Sequence, residues 1–284
     1  MKLCRFGMLG AEVPGIIDHD GLLRSLEGII PDLSPEYLSP DALAALADID
    51  PVTLPYVREP VRYGVPVSGC GKYIGIGLNY RDHAAEVGLP APDEPIIFLK
   101  AITALSGPDD DIVSPVGSTR LDWEVELAVV IGIRARNVSA HSSLRYVAGY
   151  CVANDVSERA FQQQSGQWDK GKGCDTFGPL GPWLVTHDEI PDPQSLDVWL
   201  NVNGQRMQFS NTGQMIFSVQ TIISYVSRYM TLMPGDVIAT GTPAGVGMGR
   251  RPYPVYLQAD DVVELGIDGL GCQRQRVVMP MTQL

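Results

Sequence analysis

Residues 122–132 read DWEVELAVVIG and carry the clearest pattern in the 284-residue chain. Side chains of a β-strand alternate between its two faces, so Trp123 and every second residue as far as Ile131 form one apolar face. Glu124 and Glu126 then lie together on the opposite face, about 7 Å apart at their Cα atoms. Two further apolar residues continue that second face. The segment predicts a buried strand that carries two neighbouring carboxylates.

A buried pair of carboxylates is unfavourable unless another group compensates its charge. Like charges repel, and removing them from water costs free energy. A shared hard cation removes both penalties, and oxygen ligands suit Mg²⁺, Mn²⁺ or Ca²⁺. The alternative is an exposed strand face with two solvated glutamates. The next apolar run, YVAGYCVAND, ends in Asp155, and this third carboxylate favours a metal site formed by Glu124, Glu126 and Asp155.

Around this segment the chain is predicted to be rich in β-strands. From Lys72 onward, short apolar runs recur between Gly, Pro and Asp residues. Two helical patterns interrupt them, a short one after Asp155 and a longer one that begins after Ser218, a residue suited to an N-cap. This arrangement indicates a β-rich α+β fold and not an alternating βαβ fold.

The N-terminal part of the chain differs from the rest. Residues 1–66 combine two short strand patterns with one helix, for which Ser39 is the expected N-cap and Pro40 the first residue. We therefore expect a small strand-rich N-terminal domain over residues 1–66 and a catalytic domain over residues 67–284.

The charge balance limits the possible partners. Lys and Arg total 21 against 33 Asp and Glu, a net charge of −12, which argues against nucleic acid and against an anionic membrane surface. The sequence has no apolar run long enough to span a bilayer, no signal-peptide pattern at its start, and five scattered cysteines without metal-site spacing. These features predict a cytoplasmic protein that acts on a small anionic molecule.

The stretch NYRDHAAE, residues 79–86, supplies a candidate base. A short helical turn would place His83 and Glu86 on one face, three residues apart. Glu86 could then orient the imidazole of His83, which would take a proton from water. A solvated surface pair is the alternative. The GIG of residues 75–77 lacks the third glycine of a dinucleotide-binding loop, so that class is excluded.

Five segments resemble, in order, motifs of the fumarylacetoacetate hydrolase family: DWEVELAVVIG, NDVSERAFQ, KGKGCDTFGPLGPW, MIFSV and PGDVIATGTPAGVG. The resemblance covers residues 70–284. It implies a mixed β-roll catalytic domain that holds Mg²⁺ or Mn²⁺ through Glu124, Glu126 and Asp155, and it implies a homodimer. It also implies C–C cleavage or decarboxylation of β-dicarbonyl or 2-oxo acids.

The same resemblance implies roles for individual residues. His83 and Glu86 match the catalytic His–Glu pair of the family's NYxxHxxE segment. Lys172 matches the lysine of a KxxDxFxPxGP block, which reaches the metal site and could stabilise developing negative charge. Arg159 and Gln162 resemble an RDxQ element that binds substrate, although Ala160 replaces its Asp.

Two further groups are candidate substrate contacts. Lys100 ends an apolar strand and could meet the substrate carboxylate or a neighbouring glutamate, or extend to solvent. The loop that begins with Gly241, Thr242 and Pro243 offers N–H groups, a hydroxyl and glycines that permit close approach, which suits a carboxylate. A purely structural turn is the alternative for this loop.

These features predict a metal-dependent hydrolase that cleaves a 2,4-dioxo acid into pyruvate and a second carboxylic acid. Residues 252–278 resemble the tails of family members that act on 2,4-diketo-3-deoxy sugar acids of the L-rhamnonate or L-fuconate type. For such substrates the second product would be lactate. Oxaloacetate decarboxylation and ureidoglycolate lyase activity remain the alternatives.

Overall fold

The computed structural model describes residues 1–58, 60–164 and 166–280. Within these residues the strands are β1 (Lys2–Phe6), β2 (Val13–Ile17), β3 (Leu23–Ser25), β4 (Tyr73–Gly77), β5 (Ile96–Lys100), β6 (Leu105–Ser106), β7 (Ile112–Val113), β8 (Leu121–Asp122), β9 (Val125–Ile131), β10 (Val147–Asn154), β11 (Ser157–Glu158), β12 (Gly178–Thr186), β13 (Asp197–Val202), β14 (Gln205–Asn211), β15 (Val237–Ala239), β16 (Val262–Ile267) and β17 (Gly271–Val278). The α-helices are α1 (Pro40–Ala47), α2 (Arg81–Val87), α3 (Arg159–Gln162), α4 (Asp169–Lys172) and α5 (Val219–Tyr229). Short 3₁₀ helices cover Pro35–Tyr37, Pro51–Thr53, Ile102–Ala104, Ala140–Tyr146, His187–Glu189, Thr212–Gln214 and Gly247–Gly249. Over the described ranges, no helix combines the length and apolar character needed to cross a membrane.

The strands form one large mixed sheet and two smaller sheets. The large sheet has the order β3-β2-β1-β12-β10-β9-β15-β4-β5, and β6 pairs with β12 beside it. The pair β15–β4 is parallel, whereas β9 pairs antiparallel with both β10 and β15. A second sheet has the order β14-β13-β16-β17-β7, and β8 pairs with β11. The predicted β-rich α+β class is confirmed.

Strand β9 lies in the middle of the molecule and is buried on both faces. Its odd-numbered residues, from Val125 to Ile131, join the core cluster that includes the apolar residues of β13 and β16. Its even-numbered Ala128 and Val130 belong to a second cluster with residues of the N-terminal segment, such as Leu3 and Leu33. Each fully buried aliphatic side chain of this kind contributes about 1.5–3 kcal/mol. The strand that carries the glutamates is thus held in a dry environment.

The N-terminal strands extend the large sheet. β1 pairs antiparallel with β12, where Lys2 lies opposite Val185 and Leu3 opposite Leu184. The predicted helix start is confirmed, because α1 begins at Pro40 and the Ser39 side chain accepts a hydrogen bond from the Ala42 amide at 3.2 Å. The boundary between residues 66 and 67 stays a prediction.

Helix α5 offers a test of local stability. The Ser218 hydroxyl accepts a hydrogen bond from the Thr221 amide at 3.2 Å and satisfies one of the N–H groups at the helix start. We expect Ser218→Ala to lower the free energy of unfolding by about 1 kcal/mol in urea denaturation. Ser218→Asp restores the cap and should remain near the parent protein, so an equal loss in both variants would contradict the capping role.

Candidate active site

The three predicted metal ligands come together. Glu124, Glu126 and Asp155 are buried, and one carboxylate oxygen from each lies within 4.8 Å of the other two. The antiparallel register of β9 and β10 causes this convergence: Ala153 lies opposite Glu126, and the Asp155 amide donates to the Glu124 carbonyl at 2.9 Å. The start of one strand and the end of its neighbour therefore present all three carboxylates at one place.

Buried amides hold the two strand ends in this register. The Asn154 side-chain oxygen accepts from the Glu124 amide at 3.2 Å, and the Gln208 side-chain oxygen accepts from the Val125 amide at 3.0 Å. Both side chains are fully buried. Each such bond contributes about 0.5–1.5 kcal/mol, and a lost partner would leave a buried polar group unsatisfied.

Three cations surround the carboxylates. Lys172 Nζ donates to Glu124 at 2.8 Å and to Asp155 at 2.6 Å. Lys100 Nζ also donates to Asp155, and Arg159 forms an ion pair with Glu124 at 2.6 Å. Within the residues that the structure describes, no ion pair reaches Glu126, whose carboxylate accepts from the Gly241 amide at 2.8 Å.

Glu124 and Glu126 differ in their proton affinity. For Glu124, burial is the largest single effect and raises the pKa, but the charges of Lys172 and Arg159 outweigh it and hold the pKa below the ordinary 4.5. For Glu126, burial followed by the charges of Asp155 and Glu124 raises the pKa well above 4.5. Of these two carboxylates, Glu126 is therefore the one whose ionised form a bound cation would stabilise more.

Lys172 and Lys100 also differ. Burial lowers the pKa of a lysine, yet for Lys172 the charges of Asp155 and Glu124 outweigh it and raise the pKa above 10.5. For Lys100 burial prevails over Asp155, and the pKa falls below 10.5. Lys172 is thus held as a cation beside the carboxylates.

The donor set fits a divalent ion. It consists of oxygen atoms only, which hard cations such as Mg²⁺ and Mn²⁺ prefer. The three carboxylates lie at short range from one another, and burial with the charges of Asp155 and Glu124 raises the pKa of Glu126 well above 4.5, a penalty that a bound cation would offset. Glu124, Glu126 and Asp155 would be the residues that hold the ion.

The predicted base forms the expected pair. His83 and Glu86 lie on α2, and Nδ1 of His83 is 3.0 Å from Oε2 of Glu86. The other Glu86 oxygen accepts from the Gly245 amide at 2.9 Å. Gly249 lies so close that a Cβ there would clash with the Glu86 carboxyl. Contacts with the loop that contains Gly245 and Gly249 therefore hold Glu86 in place, and Glu86 in turn orients the imidazole of His83.

One cavity of about 390 Å³ connects the base with the carboxylates. Its lining includes seven predicted site residues: His83, Glu124, Glu126, Arg159, Gln162, Lys172 and Thr242. This volume is within the usual range for small-molecule sites. The structure thus gathers the sequence-predicted groups around a space in which a small substrate could bind.

Arg159 and Gln162 lie on α3 as the predicted helical face requires. The Arg159 guanidinium donates to Gln162 Oε1 at 3.2 Å and, through Nε, to Asp122 at 2.8 Å. The helix is only one turn long. Asp122 in turn accepts from the Gly247 amide at 2.6 Å, so the arginine is held in place beside the carboxylates.

The remaining residues that were predicted to contact substrate form hydrogen bonds within the protein. Lys100 is fully buried against Asp155 and is not exposed to solvent, which excludes the alternative of a solvated lysine. Thr242 Oγ1 donates to the Val125 carbonyl at 3.0 Å, and the Pro243 carbonyl accepts from Gln208 at 2.9 Å. With Gly241 bound to Glu126, this loop supports the carboxylates, and its predicted contact with substrate stays a prediction.

Sequence reasoning missed Asp122 as a site residue. It is fully buried and holds Arg159 in place. Its carboxylate also accepts hydrogen bonds from the backbone amides of residues 247 and 248, at 2.6 and 3.0 Å. A signal was present, because the alternation that pairs Glu124 with Glu126 places Asp122 on the same face. Gln208 and Met248 were also missed, and no local pattern marks them.

Comparison with known proteins agrees with this geometry. Residues 72–278 match the family profile described as fumarylacetoacetate (FAA) hydrolase C-terminal. A Burkholderia multivorans protein named "Putative hydrolase" is 58% identical over 276 residues, covering 97% of this chain and 98% of that protein.

Two solved structures have the same fold. A maleylpyruvate hydrolase from Sphingobium sp. SYK-6, in complex with manganese(II) and pyruvate, is 31% identical with a TM-score of 0.81, covering 99% of this chain and 100% of that one. A probable 2-hydroxyhepta-2,4-diene-1,7-dioate isomerase from Mycobacterium abscessus is 31% identical with a TM-score of 0.84, covering 99% of each chain. The predicted fold of the catalytic region is confirmed, and the chain belongs to the fumarylacetoacetate hydrolase family.

Proposed function

We propose that this enzyme hydrolyses the C–C bond of a 2,4-dioxo acid to give pyruvate and a second carboxylic acid. The observation that carries the proposal is one cavity whose lining includes Glu124 and Glu126 of the carboxylate cluster together with His83 of the His83–Glu86 pair. A site for decarboxylation alone needs no base for water, whereas hydrolysis does. A related protein that binds manganese(II) and pyruvate supports the choice of product.

The residues have separable tasks in this reaction. Mg²⁺ or Mn²⁺, when bound to the three carboxylates, would supply Lewis acidity toward the oxygens of the 2-oxo acid. His83 would accept a proton from the water that attacks the C4 carbonyl, and Glu86 would stabilise the imidazolium. The C3–C4 bond then breaks, its electron pair moves to C3, and C3 takes up a proton to give pyruvate. Lys172 offers a positive charge to the negative charge that develops.

The proposal is tested by pyruvate release. Protein incubated with Mg²⁺ or Mn²⁺ and 2,4-dioxopentanoate, the simplest acylpyruvate, should yield one pyruvate and one acetate per substrate consumed. Treatment with EDTA should abolish the reaction, and added metal should restore it. A rise in melting temperature on metal addition provides a readout of the metal site that does not depend on activity.

Other outcomes would identify other reactions. Loss of the dienol or dione absorbance without pyruvate would indicate isomerisation, as the named activity of the Mycobacterium abscessus relative suggests. Carbon dioxide from oxaloacetate, or urea from ureidoglycolate, in the absence of acylpyruvate cleavage would favour the two alternatives. Cleavage of no 2,4-dioxo acid by metal-loaded protein would overturn the proposal.

The sugar-acid substrates predicted from residues 252–278 are the narrower form of this proposal. For the L-rhamnonate and L-fuconate derivatives, the acyl group transferred to water is a lactoyl group with one hydroxyl. The side chains that line the cavity determine how well this hydroxyl can be bound.

A further inference from the structure

The cavity has a charged part and an apolar part. Beside the carboxylates and His83, its wall consists largely of hydrocarbon and aromatic side chains: Val87, Leu89, Ile96, Phe98, Trp168 and Met248. Leu89 and Ile96 are 56% and 37% exposed, although both are large and apolar. Exposed apolar side chains around a cavity indicate a surface that a ligand covers.

Two glycines of β4 make room for the aromatic part of this wall. A Cβ at Gly75 would overlap the ring of Phe98, and a Cβ at Gly77 would overlap the ring of Trp168. The two rings contact each other with centroids 5.5 Å apart. β4 thus presents two ring-sized spaces on one face, because residues two apart in a strand share a face.

The aromatic pair begins directly beside the charged part. Lys172 Nζ is 5.1 Å from the centroid of Phe98, and the same amine contacts Glu124 and Asp155. A substrate whose 2-oxo acid end binds at the carboxylate cluster can therefore extend its C4 substituent along Phe98 toward Trp168.

Polar groups that could receive a substituent are few along this path. Among the described residues that line the cavity, the basic side chains are Arg159, Lys172 and His83, and all three belong to the charged part. Gln162 and Gln163 also line it; the amide oxygen of each accepts from an arginine, Arg159 and Arg120, at 3.2 and 3.3 Å, which leaves their N–H₂ groups as the remaining polar groups of these two side chains. A hydroxyl or a second carboxylate on the substituent would lose water and gain at most these amide donors on an otherwise largely apolar surface.

We propose that the apolar part of the cavity selects 2,4-dioxo acids with an apolar acyl group and discriminates against hydroxylated or carboxylated acyl groups. This inference rests on the proposed hydrolase function and reverses the sugar-acid expectation drawn from the C-terminal segment. The preferred substrates are acylpyruvates with a branched aliphatic or phenyl substituent.

A matched pair of substrates tests the inference. 2,4-Dioxo-5-methylhexanoate and 2,4-dioxo-5-hydroxyhexanoate differ only by a methyl group in place of a hydroxyl, and the second is the lactoyl substrate. We expect kcat/KM for pyruvate release to be about 10- to 100-fold higher for the methyl compound. Maleylpyruvate, with its second carboxylate, should be cleaved no better than the hydroxyl compound.

Variants connect the preference to the wall. Trp168→Ala should reduce the methyl-to-hydroxyl ratio of kcat/KM about tenfold or more, because the apolar surface that favours methyl is removed. Val87→Thr, an isosteric change that adds a hydroxyl, should also reduce the ratio. Phe209→Ala removes an aromatic residue that is 64% exposed and does not line the cavity, and it should leave the ratio unchanged.

The outcomes separate the two levels of the proposal. Pyruvate from neither compound, nor from 2,4-dioxopentanoate, would overturn the hydrolase function itself. Pyruvate release with equal or higher kcat/KM for the hydroxyl compound would overturn the apolar selection and leave the hydrolase function standing. A ratio that Trp168→Ala and Val87→Thr do not change would show that the wall does not determine the preference.

Discussion

Glu126→Gln is expected to remove catalytic activity and, at the same time, to make the metal-free protein more stable at neutral pH. Glu126 is fully buried near two other carboxylates, and burial with the charges of Asp155 and Glu124 raises its pKa well above 4.5. Glutamine has nearly the same shape and can still accept the hydrogen bond from the Gly241 amide. The variant removes an unfavourable charge but also a metal ligand, so kcat/KM should fall at least about 100-fold.

The stability effect has a defined pH dependence. Below pH 4.5 the carboxyl is protonated in both the folded and the unfolded chain, and the two proteins should be equally stable. Above that pH the unfolded chain ionises while the folded protein resists ionisation, so the parent protein loses stability relative to the variant as pH rises. Urea denaturation of metal-free protein at acid and at neutral pH measures the difference.

The matched control is Glu27→Gln, which alters an exposed glutamate. It should leave both stability and activity unchanged. In the parent protein, Mg²⁺ or Mn²⁺ should raise the melting temperature, and in Glu126→Gln the rise should be largely lost. A variant that is less stable than the parent without metal would contradict the unfavourable burial of the Glu126 charge, and one that keeps the full metal-induced rise would contradict the assignment of Glu126 as a ligand.

His83→Ala is expected to lower kcat for acylpyruvate hydrolysis by about 10²- to 10⁴-fold, the usual contribution of a positioned general base. The imidazole lines the cavity, and Glu86 orients it from 3.0 Å. The side chain lies on α2 outside the buried cores, so the variant should keep its fold and its response to metal.

Measurements on His83→Ala and a control variant distinguish a catalytic base from a residue that only stabilises the fold. The metal-induced rise in melting temperature should persist in His83→Ala, whereas acylpyruvate hydrolysis should collapse. His19→Ala, at a side chain that is 72% exposed, is the matched control and should keep full activity. Oxaloacetate decarboxylation that survives in His83→Ala would agree with a base that serves only hydrolysis. Unchanged acylpyruvate hydrolysis would show that another group activates water.

The site could be predicted largely because its ligands lie within or directly beside regular strands. Alternation along β9 is a local property, so Glu124 and Glu126 could be assigned to one face directly from the sequence. Asp155 could be added because an apolar strand ends beside it, and the register of β9 and β10 brings it to the pair. His83 and Glu86 share a helical turn, which is also a local relation.

Long-range contacts could not be predicted in the same way. Which carboxylate Lys100 would contact, and what the amide of Gly241 would bind, depends on strand order in the large sheet. The apolar wall is formed by residues from separate elements, among them Phe98 of β5 and Trp168 before α4. No spacing rule relates two such positions until the fold is known.

The hairpin of β13 and β14 carries a local signal in the sequence. β13 and β14 are joined by Asn203-Gly204, and both residues have positive φ, 50° and 76°. An Asn-Gly pair between two strand patterns is a strong indication of a tight hairpin. The segment 205–211 could therefore have been assigned as a strand from the sequence alone.

The two glycines of β4 have a consequence for the evolution of substrate range. The positions of the Phe98 and Trp168 rings in the proposed acyl pocket depend on Gly75 and Gly77, since a methyl group at either would displace the ring that now lies against it. A glycine codon becomes an alanine codon by a single nucleotide change. Neither glycine contacts the carboxylates or the His83–Glu86 pair through a side chain, so such a change alters which acids fit while the catalytic groups stay the same. New specificities can therefore arise in this lineage by single mutations in a strand that takes no part in the chemistry.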